Sequence, residues 1–335
     1  MASAAAAPEP EPSSSSSYVR LGYGSALLAA ALFGSISTVA KPVASSIHPL
    51  LLSSFVYLIA AATLAPLAYS GRVQQRQQQR QQTQHTLGRK DYMLVIAIAA
   101  AGAAAAPTLY FAGLQTASAA DSALLVNAEI IFTAAIAIAF FKERLRPLGY
   151  LAFVLVLTGV VIITTNLHFA DAALFSAQTY YGDILILSSM LFWAIDNNIS
   201  KLVVHRISAA KAVHLKSAIG GGALFAIAAF LGVPLAPITT NELLSVLLLG
   251  AAGFGASLYF FFEALKRIGT VRSIIILSTS SVFGLAFAVL FLGEQISGYQ
   301  LLAAAIMLGG IYMINRKDAS SSPSSTQHPL MRPEE

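Results

Sequence analysis

The sequence predicts an all-α polytopic membrane protein whose ten transmembrane helices form two inverted five-helix repeats. Its 335 residues are 56% hydrophobic and only 10% charged, and the mean hydropathy is +0.71. Many apolar runs are long enough to cross about 30 Å of hydrocarbon as a helix. The second half of the chain also repeats the pattern of the first half, and an odd number of spans per repeat implies the inverted arrangement.

Ten apolar segments are the predicted spans. They are residues 21–40, 49–70, 92–113, 118–141, 147–165, 182–200, 212–232, 242–262, 272–292 and 298–314. Around them we expect a disordered tail at 1–20, a first repeat at 21–165, an outer linker at 166–181, a second repeat at 182–316 and a disordered tail at 317–335. The first tail is rich in Ala, Pro, Ser and Glu and lacks the apolar periodicity needed to form a core.

Basic residues fall in alternate connections between these spans. The first connection that should be cytoplasmic, 71–91, holds five Lys and Arg residues, whereas the predicted outer connections together hold one, Lys41. Cytoplasmic loops of membrane proteins are enriched in Lys and Arg. The pattern therefore predicts a multi-pass protein of the plasma membrane with both termini in the cytoplasm.

The composition argues against several other classes of protein. The chain has no cysteine, which excludes disulfides, Cys-ligated metals and a thiol nucleophile. Its six His residues lack metal-ligand spacing and hydrolase motifs are absent, so we expect no enzyme activity, no metal and no cofactor. The net charge of +5 follows from the membrane topology and does not indicate nucleic-acid binding. The expected partners are the lipid bilayer and a small-molecule solute, with protons as a candidate coupling ion and a homodimer as a candidate assembly.

The internal repeat is visible when the first half is shifted by 151 residues. The segment ALLVNAEIIFTAAIAIAFFKERL then lies on IIILSTSSVFGLAFAVLFLGEQI, which pairs Phe132 with Phe283 and Phe140 with Phe291. An earlier, slightly different register pairs residues 32–33 with 191–192, both Leu-Phe. Inverted repeats of this kind place a binding site at their interface, near the middle of the membrane.

Three segments resemble the EamA-type branch of the drug/metabolite transporter superfamily. They are LLVNAEIIFTAAIAIAFFKERL, FWAIDNNISKLV and ALKRIGTVRSIIILSTSSVFGLAFAVLFLGEQIS, and the resemblance extends over about residues 20–316. It implies a carrier of small organic solutes, often amino acids or other metabolites and frequently exported, that works by alternating access. The alternative in the same superfamily is a nucleotide-sugar or sugar-phosphate exchanger, which would need more Lys and Arg facing the cavity. A non-transporting membrane protein is a more remote alternative.

Glu129 is the first candidate for a functional residue because it lies near the middle of the fourth predicted span. A lone charge there costs at least ~2.5–3.5 kcal/mol, so the side chain must face a protein interior or a wet cavity, or be protonated. Asn127 and Thr133 are the other polar residues between positions 123 and 141. One interpretation is a carboxylate that binds a substrate amine or takes up a proton, and the other is a hydrogen-bonded structural group.

The sixth predicted span carries Trp193, Asp196 and Asn197. Trp193 and Asn197 share a helix face at i and i+4, which suits a cavity where an aromatic wall meets an amide. Asp196 is a second candidate for transport, but it could instead pair with Lys216 of the seventh span in a structural role. An inward-facing Lys216 would attract a carboxylate or phosphate, whereas a snorkelling one would only reach the membrane surface.

Tyrosines and helix-bending residues complete the candidates. Tyr110 and Tyr259 are expected in the substrate path because each hydroxyl needs a partner inside the membrane. Pro107 lies deep in the third span, and Gly253 and Gly255 occupy a nearly equivalent place in the eighth. Proline frees backbone groups that a cavity or a neighbour must satisfy, so matching bends are expected in both halves.

Overall fold

The computed structural model describes residues 13–70, 89–141, 147–165, 177–204, 209–235, 237–268, 273 and 276–318. These residues form ten helical segments, α1 to α10, and contain no strand. The simple helices are α1 (Ser13–Ala44), α2 (Pro49–Ser70), α5 (Pro147–Thr165), α6 (Ala177–Val204), α7 (Ala209–Phe230), α9 (Ser280–Leu292) and α10 (Gly298–Asp318). The composite ones are α3 (Arg89–Ile98, Ala99–Ala105 and Ala106–Leu114), α4 (Ala119–Leu125 and Ala128–Phe141) and α8 (Thr240–Leu248, Leu249–Ala256 and Ser257–Ile268).

The helices have the length and surface of membrane spans. Within the described residues, six are long and apolar enough to cross a bilayer, and three shorter apolar helices accompany them. Large apolar side chains also face outwards, including Phe230, Phe140 and Leu290, which are 91%, 79% and 73% exposed. Such a surface would be unstable in water and is the one that lipid requires. The predicted all-α polytopic membrane fold is confirmed.

The first helix begins earlier than the sequence suggested. It starts at Ser13, inside the segment that was expected to be a disordered tail. Val19 packs on Ala264 and Ile268 of α8, and the Arg267 guanidinium carbon lies 5.2 Å from the centre of the Tyr18 ring. These tertiary contacts stabilise turns that local composition alone does not predict. Residues 1–12 and 319–335 of the two predicted tails, and most of the linker 166–181, lie outside the described residues.

The contacts between helices are those expected of two related halves. Helix α2 packs against α7, α4 against α9, and α5 against α10. Helix α1 packs on α8 and α9, just as α6 packs on α3 and α4. Exchanging the halves, so that each helix takes the place of the one five positions along, leaves this pattern unchanged. The pattern matches the predicted two-repeat architecture.

Backbone irregularities recur at matching places in the two halves. The π-helical segments Ala99–Ala105 in α3 and Leu249–Ala256 in α8 coincide when the chain is shifted by 151 residues. A turn at 126–127 breaks α4, and a turn at 278–279 precedes α9. The predicted span at 118–141 is present as Ala119–Phe140, and the turn divides it into two half-helices. The backbone N–H of Asn127 donates to Leu124 O at 3.1 Å, three residues earlier. A bond of this spacing tightens the helix before the second half-helix begins.

Glycines permit the closest approaches between the halves. A Cβ atom on Gly113 of α3 would lie 2.5 Å from the carbonyl oxygen of Gly182 on α6. A Cβ atom on Gly34 of α1 would lie 2.7 Å from the Cβ atom of Phe283 on α9. Small residues let helix backbones pack closely where no hydrophobic effect drives association.

Candidate functional site

A cavity of about 170 Å³ lies where the two halves meet. Residues of α1, α2, α3, α4, α6, α7 and α8 line it, together with Ser280 at the start of α9. Its titratable groups other than tyrosine are Glu129, Asp196 and Lys216 among the described residues. Most of the remaining wall is apolar or aromatic, so these charges are the main polar features that a ligand would meet.

Glu129 reaches this cavity because α4 is broken just before it. The residue lies in the first turn of the half-helix Ala128–Phe141, and the dipole of a helix favours a negative charge at this end. Asn197 Nδ2 donates a short hydrogen bond to Glu129 Oε1. Ser280 begins the corresponding half-helix of the second repeat and lines the same cavity. The starts of two half-helices therefore meet at one cavity, as in many transporters with broken helices.

Asp196 and Lys216 form an ion pair in the cavity wall. Lys216 Nζ contacts Asp196 Oδ2, and Ser200 Oγ donates to the other carboxylate oxygen at 3.1 Å. The Asp196 side chain is 2% exposed and the Lys216 side chain is 17% exposed. The pairing anticipated from the sequence is confirmed. Since this pair is neutral, the formal charge of the described cavity wall is the single negative charge of Glu129.

Aromatic side chains surround these charges. Trp193 Nε1 and the Tyr57 hydroxyl both donate to the carbonyl oxygen of Gly102, each at 2.9 Å. The Tyr110 ring lies 5.6 Å from the Trp193 ring. These contacts join α2, α3 and α6 at one point, so the aromatic wall of the cavity is held by hydrogen bonds as well as by packing.

The structure brings six of the eight predicted site residues to the cavity. They are Glu129, Trp193, Asp196, Asn197, Lys216 and Tyr110. Asn127 and Tyr259 are not among the lining residues. Asn127 is 4% exposed in the turn at 126–127, and its Nδ2 atom has no partner in the described part of the chain. Tyr259 is one residue beyond the lining residue Leu258, and a helix turns about 100° per residue, so Tyr259 does not share the cavity-facing side of the helix. Its ring packs on Phe260.

Sequence reasoning missed several residues of the cavity. Tyr57 and Ser37 line it, and Gly102 supplies the carbonyl that anchors Tyr57 and Trp193. Tyr57 could have been found, because a hydroxyl within an apolar span needs a partner. A backbone carbonyl carries no such signal in the sequence. Ser37 is buried and its side chain lies close to the Tyr110 side chain.

Side-chain contacts join the helices at the predicted outer end, where residues 45–48, 115–118 and 293–297 connect them. Lys41 Nζ donates to the carbonyl oxygens of Leu114 and Ala117 at 2.8 and 2.5 Å. The Glu294 carboxylate accepts from the amides of Ala119 and Ala120, both at 2.9 Å. A cation at the C-terminal end of α3 and an anion at the N-terminal end of α4 both complement the helix dipole. We call these the outer-end contacts.

The ten-helix fold, its two-repeat packing and the polar cavity between the halves define a membrane transporter of small solutes. The sequence pattern of the EamA-like transporter family matches residues 20–165 and again residues 180–316, and the chain belongs to this family. The resemblance seen in the three sequence segments is thereby confirmed.

Two further comparisons agree with this assignment. An uncharacterized transporter of Methanothermobacter thermautotrophicus is 28% identical over 302 residues, which cover 88% of this chain and 85% of that protein. A crystal structure superposes with a TM-score of 0.61 and 20% sequence identity, covering 92% of this chain and 99% of that one. The identity to this second protein is low enough that the likeness supports the fold alone.

Proposed function

We propose that this chain exports small amine-bearing organic metabolites, such as amino acids or related solutes, across the plasma membrane by alternating access. Both termini are cytoplasmic in this proposal, and protons are the coupling ion. The observation that carries the proposal is the position of Glu129. Its carboxylate lies at the start of a half-helix, lines the cavity and has an amide rather than a cation as its hydrogen-bond partner.

The charge of the cavity favours an amine over a phosphate. The described lining residues supply two carboxylates and one ammonium group, and Lys216 is already paired with Asp196. A substrate ammonium would neutralise Glu129, whereas a phosphate would meet unfavourable electrostatics in a site that is shielded from water. This balance supports a metabolite carrier over the nucleotide-sugar or sugar-phosphate exchanger considered from the sequence.

The same carboxylate gives a route to coupling. A carboxylate inside a membrane can exchange a proton for a cationic substrate, because either one removes the cost of a buried negative charge. Alternating access then requires the cavity to open to each side in turn. The outer-end contacts of Lys41 and Glu294 close one side, so the described conformation fits a state that faces the other side.

A transport assay in proteoliposomes tests the proposal. Purified protein is reconstituted, and exchange of radiolabelled amino acids, biogenic amines, sugar phosphates and nucleotide sugars is compared. We expect uptake of an amine-bearing solute and not of the phosphorylated ones. Glu129→Gln should reduce that transport by about 10–100-fold, since a charge-assisted hydrogen bond of about 1.5–3 kcal/mol is lost. Glu242→Gln is the matched control, because Glu242 caps the start of α8 outside the cavity.

Two results would contradict the proposal. Transport of a sugar phosphate or nucleotide sugar alone would favour the exchanger. Wild-type rates in a folded Glu129→Gln variant would remove Glu129 from the mechanism. Proton coupling is measured in the same vesicles with an imposed pH gradient, which should accelerate substrate movement in the wild type and not in the variant.

The proposed orientation has its own test. Since the chain has no cysteine, single cysteines can be introduced at Ser3 and Ser325 without any background thiol. A membrane-impermeant thiol reagent applied to intact cells should label neither variant until the cells are permeabilised. Labelling of one terminus but not the other from outside would mean an odd number of spans.

A further inference from the structure

The carbonyl of Gly102 lacks a helical partner because of Pro107. In the π-helical segment of α3, the amide of Ala106 donates to Ala101 O, five residues earlier. In the same register, Gly102 O would accept from residue 107, but proline has no amide hydrogen. A buried carbonyl without a partner is costly inside a membrane, so another donor must satisfy it.

Side chains from two other helices satisfy this carbonyl. Tyr57 of α2 and Trp193 of α6 both donate to Gly102 O at 2.9 Å. Both residues line the cavity, and their rings in turn contact Phe254 at 5.2 Å and Tyr110 at 5.6 Å. The carbonyl oxygen of Gly102 therefore holds two aromatic side chains by hydrogen bonds, and each of these packs against one further ring.

The second half of the molecule has the same π-helical geometry without the proline. There the amide of Ser257 donates to Ala252 O in the same five-residue register. The next carbonyl, Gly253 O, accepts from the hydroxyl of Ser257 on its own helix. Residue 258, which corresponds to Pro107, is leucine and keeps its amide hydrogen. The second half thus satisfies its carbonyl locally, and no aromatic side chain within the described ranges donates a hydrogen bond to it.

We propose that Pro107 is a positioning residue of the binding site. By removing one amide hydrogen, it presents Gly102 O to the cavity, and this oxygen holds the Trp193 indole and the Tyr57 phenol as a fixed aromatic wall. This wall selects substrates whose amine, bound at Glu129, is attached to an apolar or aromatic group. The statement about selectivity depends on the proposed function, whereas the anchoring of Trp193 does not.

Fluorescence tests the anchoring directly, because Trp193 is the only tryptophan in the chain. Pro107→Ala restores an amide that competes for Gly102 O. Loss of a hydrogen bond of about 1 kcal/mol changes the ratio of free to anchored indole about fivefold. We therefore expect lower emission anisotropy and stronger acrylamide quenching in the purified variant. Pro66→Ala is the matched control, because Pro66 also lies inside a helix but does not line the cavity, and it should keep the wild-type quenching.

The kinetics of transport provide a second test of the role of Pro107. For an aromatic amine substrate, Pro107→Ala should raise KM about fivefold with little change in kcat, since positioning of the ground state is lost. Trp193→Phe should give the same rise in KM and remove the fluorescence signal. Wild-type quenching and anisotropy in a monodisperse Pro107→Ala protein would overturn the inference, whatever its thermal stability. If the wild type transports no amine, the proposed function fails, and the fluorescence result still decides the role of Pro107.

Discussion

Glu129 and Ser280 occupy corresponding places in the two halves of the bundle. Each lies at the start of a half-helix that follows a turn, and each lines the cavity. One is a carboxylate and the other is a small hydroxyl. The two halves therefore share a broken helix at this position and differ in the side chain that the broken helix places in the cavity.

The helices that face these two residues also differ, because the side chains near Glu129 are larger and more polar than those near Ser280. In the register that aligns residues 32–33 with 191–192, Gly34 corresponds to Trp193 and Ser37 corresponds to Asp196. Gly34 packs directly against the backbone of Ser280 and Gly284. On the other side, Asn197 of α6 contacts Glu129 of α4, while Trp193 and Asp196 of α6 contact α3 and α7. The two halves therefore share their helix packing and differ in the side chains that line the cavity.

Among the substitutions that test this comparison, we expect the largest difference in stability between changes at Gly102 and at Gly253, which are equivalent positions in the two π-helical segments. A methyl group on Gly102 would overlap the Asp196 carboxylate, which the ion pair holds in place. Overpacking of this kind costs about 1–3 kcal/mol. A methyl group on Gly253 would lie 3.1 Å from Cγ1 of Ile36, a side chain that can rotate away. We expect Gly102→Ala to lower the Tm by several degrees and Gly253→Ala to change it little.

Thermal unfolding in detergent and substrate transport measure this difference. Gly222→Ala is a further control, because no atom lies within 4 Å of a Cβ placed there. That variant should be as stable as the wild type or more so, since alanine is favoured over glycine in helices by about 1 kcal/mol. If Gly102→Ala and Gly253→Ala lowered the Tm equally, the two π-helical segments would be packed alike and the expected difference would be contradicted.

An effect of similar size is expected for the buried ion pair, and a smaller one for the exposed pair. Asp196→Asn and Lys216→Met should each cost about 1–3 kcal/mol, because each leaves a largely buried partner uncompensated. The double variant should cost less than the sum of the two. Arg267 and Glu263 in α8 form the contrasting pair, with 25% and 19% exposure and i,i+4 spacing. Their double-mutant cycle should give a coupling of only about 0.2–0.5 kcal/mol. Additive costs for Asp196 and Lys216 would contradict a coupled pair in the cavity wall.

The smallest effect concerns the outer-end contacts. Glu294→Gln replaces two carboxylate oxygens by one amide oxygen, so either Ala119 N–H or Ala120 N–H loses its partner. A loss of about 1 kcal/mol should raise the population of the outward-open state about fivefold. The reporter is Ser37→Cys, a cavity position one turn before Lys41, modified from outside by a membrane-impermeant thiol reagent. Modification should accelerate by this factor in the Glu294→Gln background and not in the Glu263→Gln background, because Glu263 lies near the opposite end of the bundle. An unchanged rate would mean that these contacts do not limit opening.

The sequence by itself determined the membrane class and the two-repeat plan, and it predicted ten spans and a functional role for Glu129. These depend on run length, composition and a repeated pattern, which are local properties of the chain. A carboxylate within an apolar span must reach a protein interior or cavity, or be neutralised, wherever the helices finally lie.

Tertiary structure decided which polar groups meet. The sequence placed Asn127 and Tyr259 in the site, but the structure turns both away from the cavity and brings Tyr57 into it. The π-helical segments and the turn at 126–127 change the rotation of everything that follows them, and hydropathy does not record such changes. The acceptor at Gly102 arises only when a π-helical register coincides with a proline five residues on, so it belongs to the folded backbone and not to any side chain.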